Sequence, residues 1–233
     1  MNRSYSLYVL QQLDSELDRA QKRIQDIELI LQDTSAIEVT QETHQRLEKI
    51  HAEKSKLLKK AEEEVASQNL KLDQNQKKLY GGAITNPKEL EDLQQESTAL
   101  NNYLQVLEER QLEAMIAADQ SRTALEAAAD NLQEIRQATA AKHAELKNER
   151  NTLVTKINQI SEKRNKYLES EELPDLAAYE SLRERSGGIA VTIMTESSCG
   201  ACGANIPSAI EQSAKSPTKL AFCPTCKRIL HPG

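Results

Sequence analysis

Leu79-Tyr80-Gly81-Gly82-Ala83-Ile84-Thr85-Asn86-Pro87-Lys88-Glu89 is the strongest punctuation in this 233-residue chain. A glycine pair can end a helix because glycine enters the left-handed conformation without steric cost, and Asn86 can cap the helix that follows. Pro87 falls at the first helical position, where its missing N–H is no loss, and Glu89 stands third, in capping-box relation to Asn86. The stretch predicts a reversal over about residues 80–87, centred near Ala83, between two helices running in opposite directions.

Upstream, Leu10, Leu13, Leu17, Ala20, Ile24, Ile27 and Leu31 follow alternating spacings of three and four, with charged and amide residues between them. That is a heptad seam. It weakens over about 33–41, where β-branched residues cluster and Ser35 with Glu38 forms a candidate capping box, so a kink is expected there. Helical spacing resumes at Leu47, Ile50, Leu57, Ala61, Val65, Leu72 and Leu79. Downstream, a ladder from Leu90 to Leu153 keeps one phase and then shifts at Ile157 and Ile160. With no Pro or Gly between Lys88 and Glu172, a helix of roughly 80 residues would be about 120 Å long at 1.5 Å per residue. A reversal at Ala83 sets Leu10 against Ile157 and Leu31 against Arg136. It also sets the Ala-rich stretch 114–129 beside 38–53, where small side chains would accommodate the kink.

Beyond Pro174 a short helix is expected at Asp175–Arg185, then a flexible Gly187-Gly188 linker, then strands at Ile189–Met194 and near Lys219–Phe222. The expected organisation is a coiled-coil hairpin over 1–172, a helix and linker over 173–188, and a ribbon over 189–233. The fold class is mainly α: a long antiparallel coiled-coil helical hairpin with a small C-terminal β zinc ribbon.

All four cysteines lie in that last segment, as Cys199-Gly-Ala-Cys202 and Cys223-Pro-Thr-Cys226, separated by 20 residues. Two residues between paired cysteines let a tight turn aim both sulfurs at one ion, and two such pairs at this spacing read as a zinc ribbon. Gly203 occupies the position after the first knuckle where positive φ is needed; Lys227 occupies the same position after the second. Four thiolates fill a tetrahedral shell and leave no place for substrate, so one Zn2+ is expected in a structural role. A CxxC oxidoreductase would instead start a helix in a βαβ domain, and little sequence exists here to build one.

His231, near the second pair, reads as an exposed terminal residue, since four cysteines already satisfy an ion. His44 and His51, seven apart on α-helical spacing, read as solvated. Lys215, Lys219, Lys227 and Arg228 form a candidate basic face for nucleic acid or a protein partner, and Phe222 reads as a core residue of the ribbon. The segment from Arg185 holds five basic and two acidic residues, against a net charge of −6 for the whole chain. An acidic rod therefore carries a mildly basic head.

Composition excludes more than it assigns. One Phe, no Trp and 28% charged residues leave little for a broad core, as in long helices rather than layered enzyme domains. No catalytic carboxylate pair, nucleophile triad or phosphate loop is present, so no enzymatic activity is expected. No stretch approaches the ~20 apolar residues of a membrane span, and no secretory signal precedes the heptads. With cysteines in metal-binding rather than disulfide spacing, the expected location is the cytoplasm. Whether hairpins associate further is left open by the sequence.

The whole pattern resembles a bacterial family of coiled-coil proteins with a C-terminal four-cysteine zinc ribbon. The resemblance rests on Leu79-Tyr80-Gly81-Gly82, Asn86-Pro87-Lys88-Glu89-Leu90, Gly187-Gly188 and Cys223-Pro224-Thr225-Cys226-Lys227-Arg228-Ile229-Leu230. Lys227 departs from it, since the family favours Gly there. The resemblance implies an adaptor in flagellar or type III secretion that binds the sigma-54-type factor, with RNA contact proposed for relatives. The expected function is thus a non-enzymatic scaffold for protein partners; the alternative is an RNA- or DNA-binding regulator acting through the basic ribbon.

Overall fold

The computed structural model describes residues 2–82 and 84–233. Four helices come first: α1 Arg3–Gln32, α2 Ser35–Tyr80, α3 Pro87–Ser170 and α4 Leu176–Arg185. Strands β1 Val191–Thr195 and β2 Ser198–Cys199, helix α5 Ser208–Ala214, and strands β3 Ala221–Phe222 and β4 Ile229–His231 complete the chain. A long helical hairpin with a small C-terminal strand region is therefore the fold. It divides into two compact units, one of residues 1–33 with 142–233 and one of 34–141. The base of the hairpin thus belongs with the strands, a grouping that the chain-order reading of rod, linker and head misses.

In unit 34–141, α2 ends on Gly81, and Gly82 adopts φ +70°. Asn86 Oδ1 accepts from the Lys88 N–H at 3.1 Å, capping α3 behind Pro87. The expected centre of the turn, Ala83, lies outside the described residues. The cap of α2 falls on Thr34 rather than Ser35, and the Thr34 hydroxyl donates to Glu38 Oε1 at 2.7 Å.

The α2 seam departs from the expected one. Ile50 and Leu57 are exposed, and the inward rungs are Leu47, His51, Leu58, Ala61, Val65, Gln68, Leu72, Asn75 and Leu79. Three polar rungs find partners on α3: His51 Nδ1 meets Ser121 Oγ at 3.0 Å, Gln68 donates to the Leu100 carbonyl, and Asn75 donates to Glu96. Polar groups inside a seam are tolerated when hydrogen-bonded, and they then fix one register. That register displaces one expected pairing and keeps another: Arg136 donates to Gln41, not toward Leu31, whereas Ser121 of the Ala-rich stretch meets the half-buried His51, inside the 38–53 segment expected opposite it.

In the other unit, Asn2 Oδ1 caps α1 by accepting from Ser4 N–H. Leu10, Ala20 and Ile27 are buried along its seam against α3, where Leu146 and Ile160 are buried in turn. Here too the register is displaced, since Tyr167 donates to the Ser6 carbonyl and Arg23 pairs with Glu149. The four-stranded sheet has the order β2-β1-β4-β3, with β1 and β4 parallel and the outer pairings antiparallel. Val191 and Ile229, opposite each other, pack with Leu7 and Leu10 of α1 and Tyr179 and Leu182 of α4. Each such large apolar side chain removed from water contributes about 1.5–3 kcal/mol.

The Gly187-Gly188 segment is not a flexible linker. Gln11 Nε2 donates to the Gly188 carbonyl at 2.8 Å, while its Oε1 accepts from the N–H groups of Ala190 and Val191. One amide side chain thereby satisfies three backbone groups at the entry to β1, the two N–H groups in buried contacts. Glycine is used here for positive φ, +64° and +86°, to make a fixed corner.

Candidate metal centre

Each cysteine pair is held by the same local device. In the first knuckle, Cys199 N–H donates to the Ala204 carbonyl at 2.8 Å and Gly203 N–H to the Cys199 carbonyl at 2.7 Å. In the second, Cys223 N–H donates to the Arg228 carbonyl at 2.8 Å and Lys227 N–H to the Cys223 carbonyl at 3.0 Å. Both turns close through a left-handed residue, Gly203 at φ +70° and Lys227 at φ +63°. The non-glycine residue at the second knuckle therefore adopts the conformation that glycine takes in the first. Gly200 is needed for a different reason, because a Cβ there would lie 2.5 Å from the Ile193 carbonyl oxygen.

The two knuckles bring four free thiols together, all within 4.8 Å of one another. The Sγ atoms of Cys199 and Cys226 are 3.7 Å apart, as are those of Cys202 and Cys223. Cys199 and Cys223 are buried and pack with Ile206, Ala214, Ala221 and Leu230; Cys202 is exposed. Burial pushes the Cys199 thiol up to about 12, against hydrogen bonds from the Ala201 and Cys202 backbone. Burial also opposes ionisation of Cys226, but the backbone N–H and side chain of Arg228, with the neighbouring thiols, bring it down to about 6. Four thiolates cannot crowd together without a cation between them, so the cluster could hold one metal ion.

The candidate basic face does not stay together as a free surface. Lys215 pairs with Glu211 at 2.9 Å. Arg228 donates to the carbonyls of Ile189 and Ser186, at 2.9 and 2.8 Å, so it ties the second knuckle to the corner before β1. Lys219 and Lys227 are exposed. Phe222, expected in the core, is 43% exposed; its place is taken by Ala221 and Leu230. His231, expected at the surface, is buried. Its Nδ1 meets Ser4 Oγ at 3.1 Å, and its ring stacks on Tyr8 with centroids 5.2 Å apart.

A second polar centre went unread in the sequence. Asp14, 2% exposed, accepts from Arg164 Nε at 2.6 Å and from Tyr179 Oη at 2.7 Å, and Arg183 lies beside it. Arg3 forks onto Asp175, and its backbone N–H and Nη1 reach the carbonyls of Pro217 and Thr218. The Asp14 contacts tie α1 to α3 and α4, and the Arg3 contacts tie α1 to the loop before β3. No sequence signal marks Gln11 or Asp14, because amides and carboxylates fill ordinary solvent positions of a heptad.

Comparison with known proteins agrees with this architecture. CT398 from Chlamydia trachomatis superposes with a TM-score of 0.67 at 19% identity, covering 99% of this chain and 98% of that one. The HP0958 protein from Helicobacter pylori gives 0.54 at 19% identity, with 99% and 97% covered. A protein from Mycobacterium smegmatis gives 0.52 at 22% identity over the full length of both. No curated protein matches the sequence. No helix among the described residues is long and apolar enough to cross a membrane. The CT398-like coiled coil hairpin domain matches residues 10–187, and on that match the chain belongs to the CT398-like coiled-coil hairpin family.

Proposed function

We propose that this chain is a non-enzymatic, zinc-clamped adaptor that binds protein partners. The observation carrying the reading is the four-thiol cluster fixed against the base of the hairpin. Thiolates bonded to zinc at about 2.3 Å form a tetrahedron with edges of about 3.8 Å, and the two closest sulfur pairs here are 3.7 Å apart. Four protein ligands close the shell, so the ion stabilises the ribbon and leaves no coordination position for a reacting group. Activity then resides in surfaces, which the helices offer in quantity. Because Gln11, Arg3 and His231 fix the strands on α1, a partner at this end meets one composite surface, not a detachable head.

The partners proposed are the sigma-54-type factor and components of flagellar or type III export, as the resemblance to zinc-ribbon adaptors implies. The internal engagement of Lys215 and Arg228 gives no added support to a nucleic-acid reading. The test is biolayer interferometry of the zinc-loaded full chain against the purified sigma-54-type factor and export components of the source bacterium. Saturable binding that weakens on charge reversal at exposed hairpin positions supports the proposal. Absence of binding to every component, with dithiol turnover instead, would overturn it.

A further inference from the structure

The two knuckles share one backbone plan and differ at one position. Cys199 N–H closes the first on the Ala204 carbonyl, and Cys223 N–H closes the second on the Arg228 carbonyl. Ala204 and Arg228 are therefore equivalent residues, each two places beyond the second cysteine of its pair. A methyl group stands in one place and a guanidinium in the other. Arg228 uses what Ala204 lacks, because its side chain as well as its backbone N–H donates to the Cys226 sulfur.

The same guanidinium is pinned from the other side. Its Nε donates to the Ile189 carbonyl at 2.9 Å and its Nη2 to the Ser186 carbonyl at 2.8 Å. Ser186 caps the C-terminus of α4, where carbonyls lack helical partners and a cation is favoured. The next residue, Ile229, donates its N–H to the Ala190 carbonyl at 2.8 Å, and the Ala190 N–H is held by Gln11 of α1 at 2.6 Å. Residues 186–190 thus form a fixed seat, and Arg228 reaches from that seat to a thiol of the cluster. Five N–H donors in one planar group allow the two carbonyls and the sulfur to be served together. The single ammonium of a lysine on its flexible stem would not do so.

Four thiolates around a divalent ion leave an excess of negative charge on the sulfurs. A donor aimed at one sulfur draws off part of that charge and fixes the direction in which the sulfur points. Groups one layer out from a metal commonly set its affinity by about 10–100-fold. We propose that Arg228 is a positioning residue of the metal centre, holding the Cys226 thiolate in place as a ligand and linking metal retention to the seating of the strands on α1 and α4. The inference rests on the cluster holding a metal ion. Metal binding and seating then strengthen each other to the same degree, as linkage requires.

Cobalt(II) titration of the reduced full chain, with zinc competition against a chromophoric chelator, tests it. Arg228→Met should raise the zinc dissociation constant about 10–100-fold. It should also move the sulfur-to-cobalt charge-transfer band to lower energy, because a sulfur without its donor gives up charge more readily. Arg228→Lys keeps the charge but not the fork, and should fall between Arg228→Met and the unaltered chain. Lys219→Met removes an exposed cation of the same segment and should change neither readout. A loss of stability alone would weaken binding without moving the band. A raised constant with an unmoved band therefore overturns the proposal, as does an unchanged constant. If Arg228→Met no longer folds, Arg228→Lys decides, and zinc retention equal to that of the unaltered chain overturns the proposal. A chain that takes up no cobalt overturns the zinc reading along with it. A chain that binds cobalt equally well whatever stands at position 228 overturns this inference alone.

Discussion

Replacing Asp14 by alanine removes the most heavily engaged buried carboxylate in the unit that carries the thiols. Its two oxygens accept from Arg164 Nε and Tyr179 Oη, and Arg183 Nε stands 3.8 Å from Oδ2. Truncation leaves two guanidinium groups facing a space without a counter-charge and a buried phenol without an acceptor. Breaking a buried pair by deleting one partner costs about 3–5 kcal/mol. The arginine side chains keep 23% and 26% exposure, and Arg183 retains Asp18 at 2.5 Å, so both can be partly rehydrated. The lower end, about 3 kcal/mol, is therefore expected. Tyr179→Phe deletes only one hydrogen bond to a charged acceptor and should cost about 1.5–3 kcal/mol. Urea unfolding by circular dichroism in zinc-containing buffer gives the magnitude, and hydrogen exchange gives the place. Faster exchange should concentrate in α1, α4 and β1, leaving 34–141 unchanged. A loss below about 1 kcal/mol, within reach of an ordinary surface change, would refute the reasoning. So would a loss confined to 34–141.

Three further outcomes follow from the strand region. Lys227→Gly relieves a left-handed side chain, worth about 1–2 kcal/mol, less about 0.4–1 kcal/mol for the freer unfolded chain; the ribbon's thermal midpoint should rise. Gly200→Ala drives a methyl against the fixed Ile193 carbonyl and should cost about 1–3 kcal/mol, read as faster amide exchange across β1 and β4. Burial holds the His231 ring below its ordinary value, so the unfolded chain takes up the proton first as pH falls. Stability from this ring is complete above about pH 6.5 and declines below it. His231→Gln should flatten that decline; the difference between the two proteins' urea midpoints cancels the acid lability that their cysteines share.

The features legible in the sequence are those set by local chemistry. The glycine pair, Asn86 and Pro87 specify caps over a few residues, and the paired cysteines with Gly203 and Lys227 specify two turns. Tertiary choices were less accessible. Ile50 and Leu57 obey helical spacing but lie beside the seam, because hydrogen bonds at His51, Gln68 and Asn75 hold another register. His231 is buried because Tyr8 and Ser4 arrive from the opposite end of the chain, and Phe222 is exposed because Ala221 and Leu230 fill the space behind the thiols. Gly187-Gly188 looks like a hinge until Gln11, some 177 positions away, satisfies the corner's backbone groups.

Metal stoichiometry of the full chain bears on everything the thiol clamp is proposed to do. Elemental mass spectrometry on protein purified under reducing conditions should find one zinc per chain. Chelation should release it together with protection of the β1 and β4 amides, while the helices of 34–141 keep their exchange rates. A chain that carries no zinc under those conditions, or that keeps β1 and β4 fully protected after the metal is stripped, would contradict the structural-zinc account.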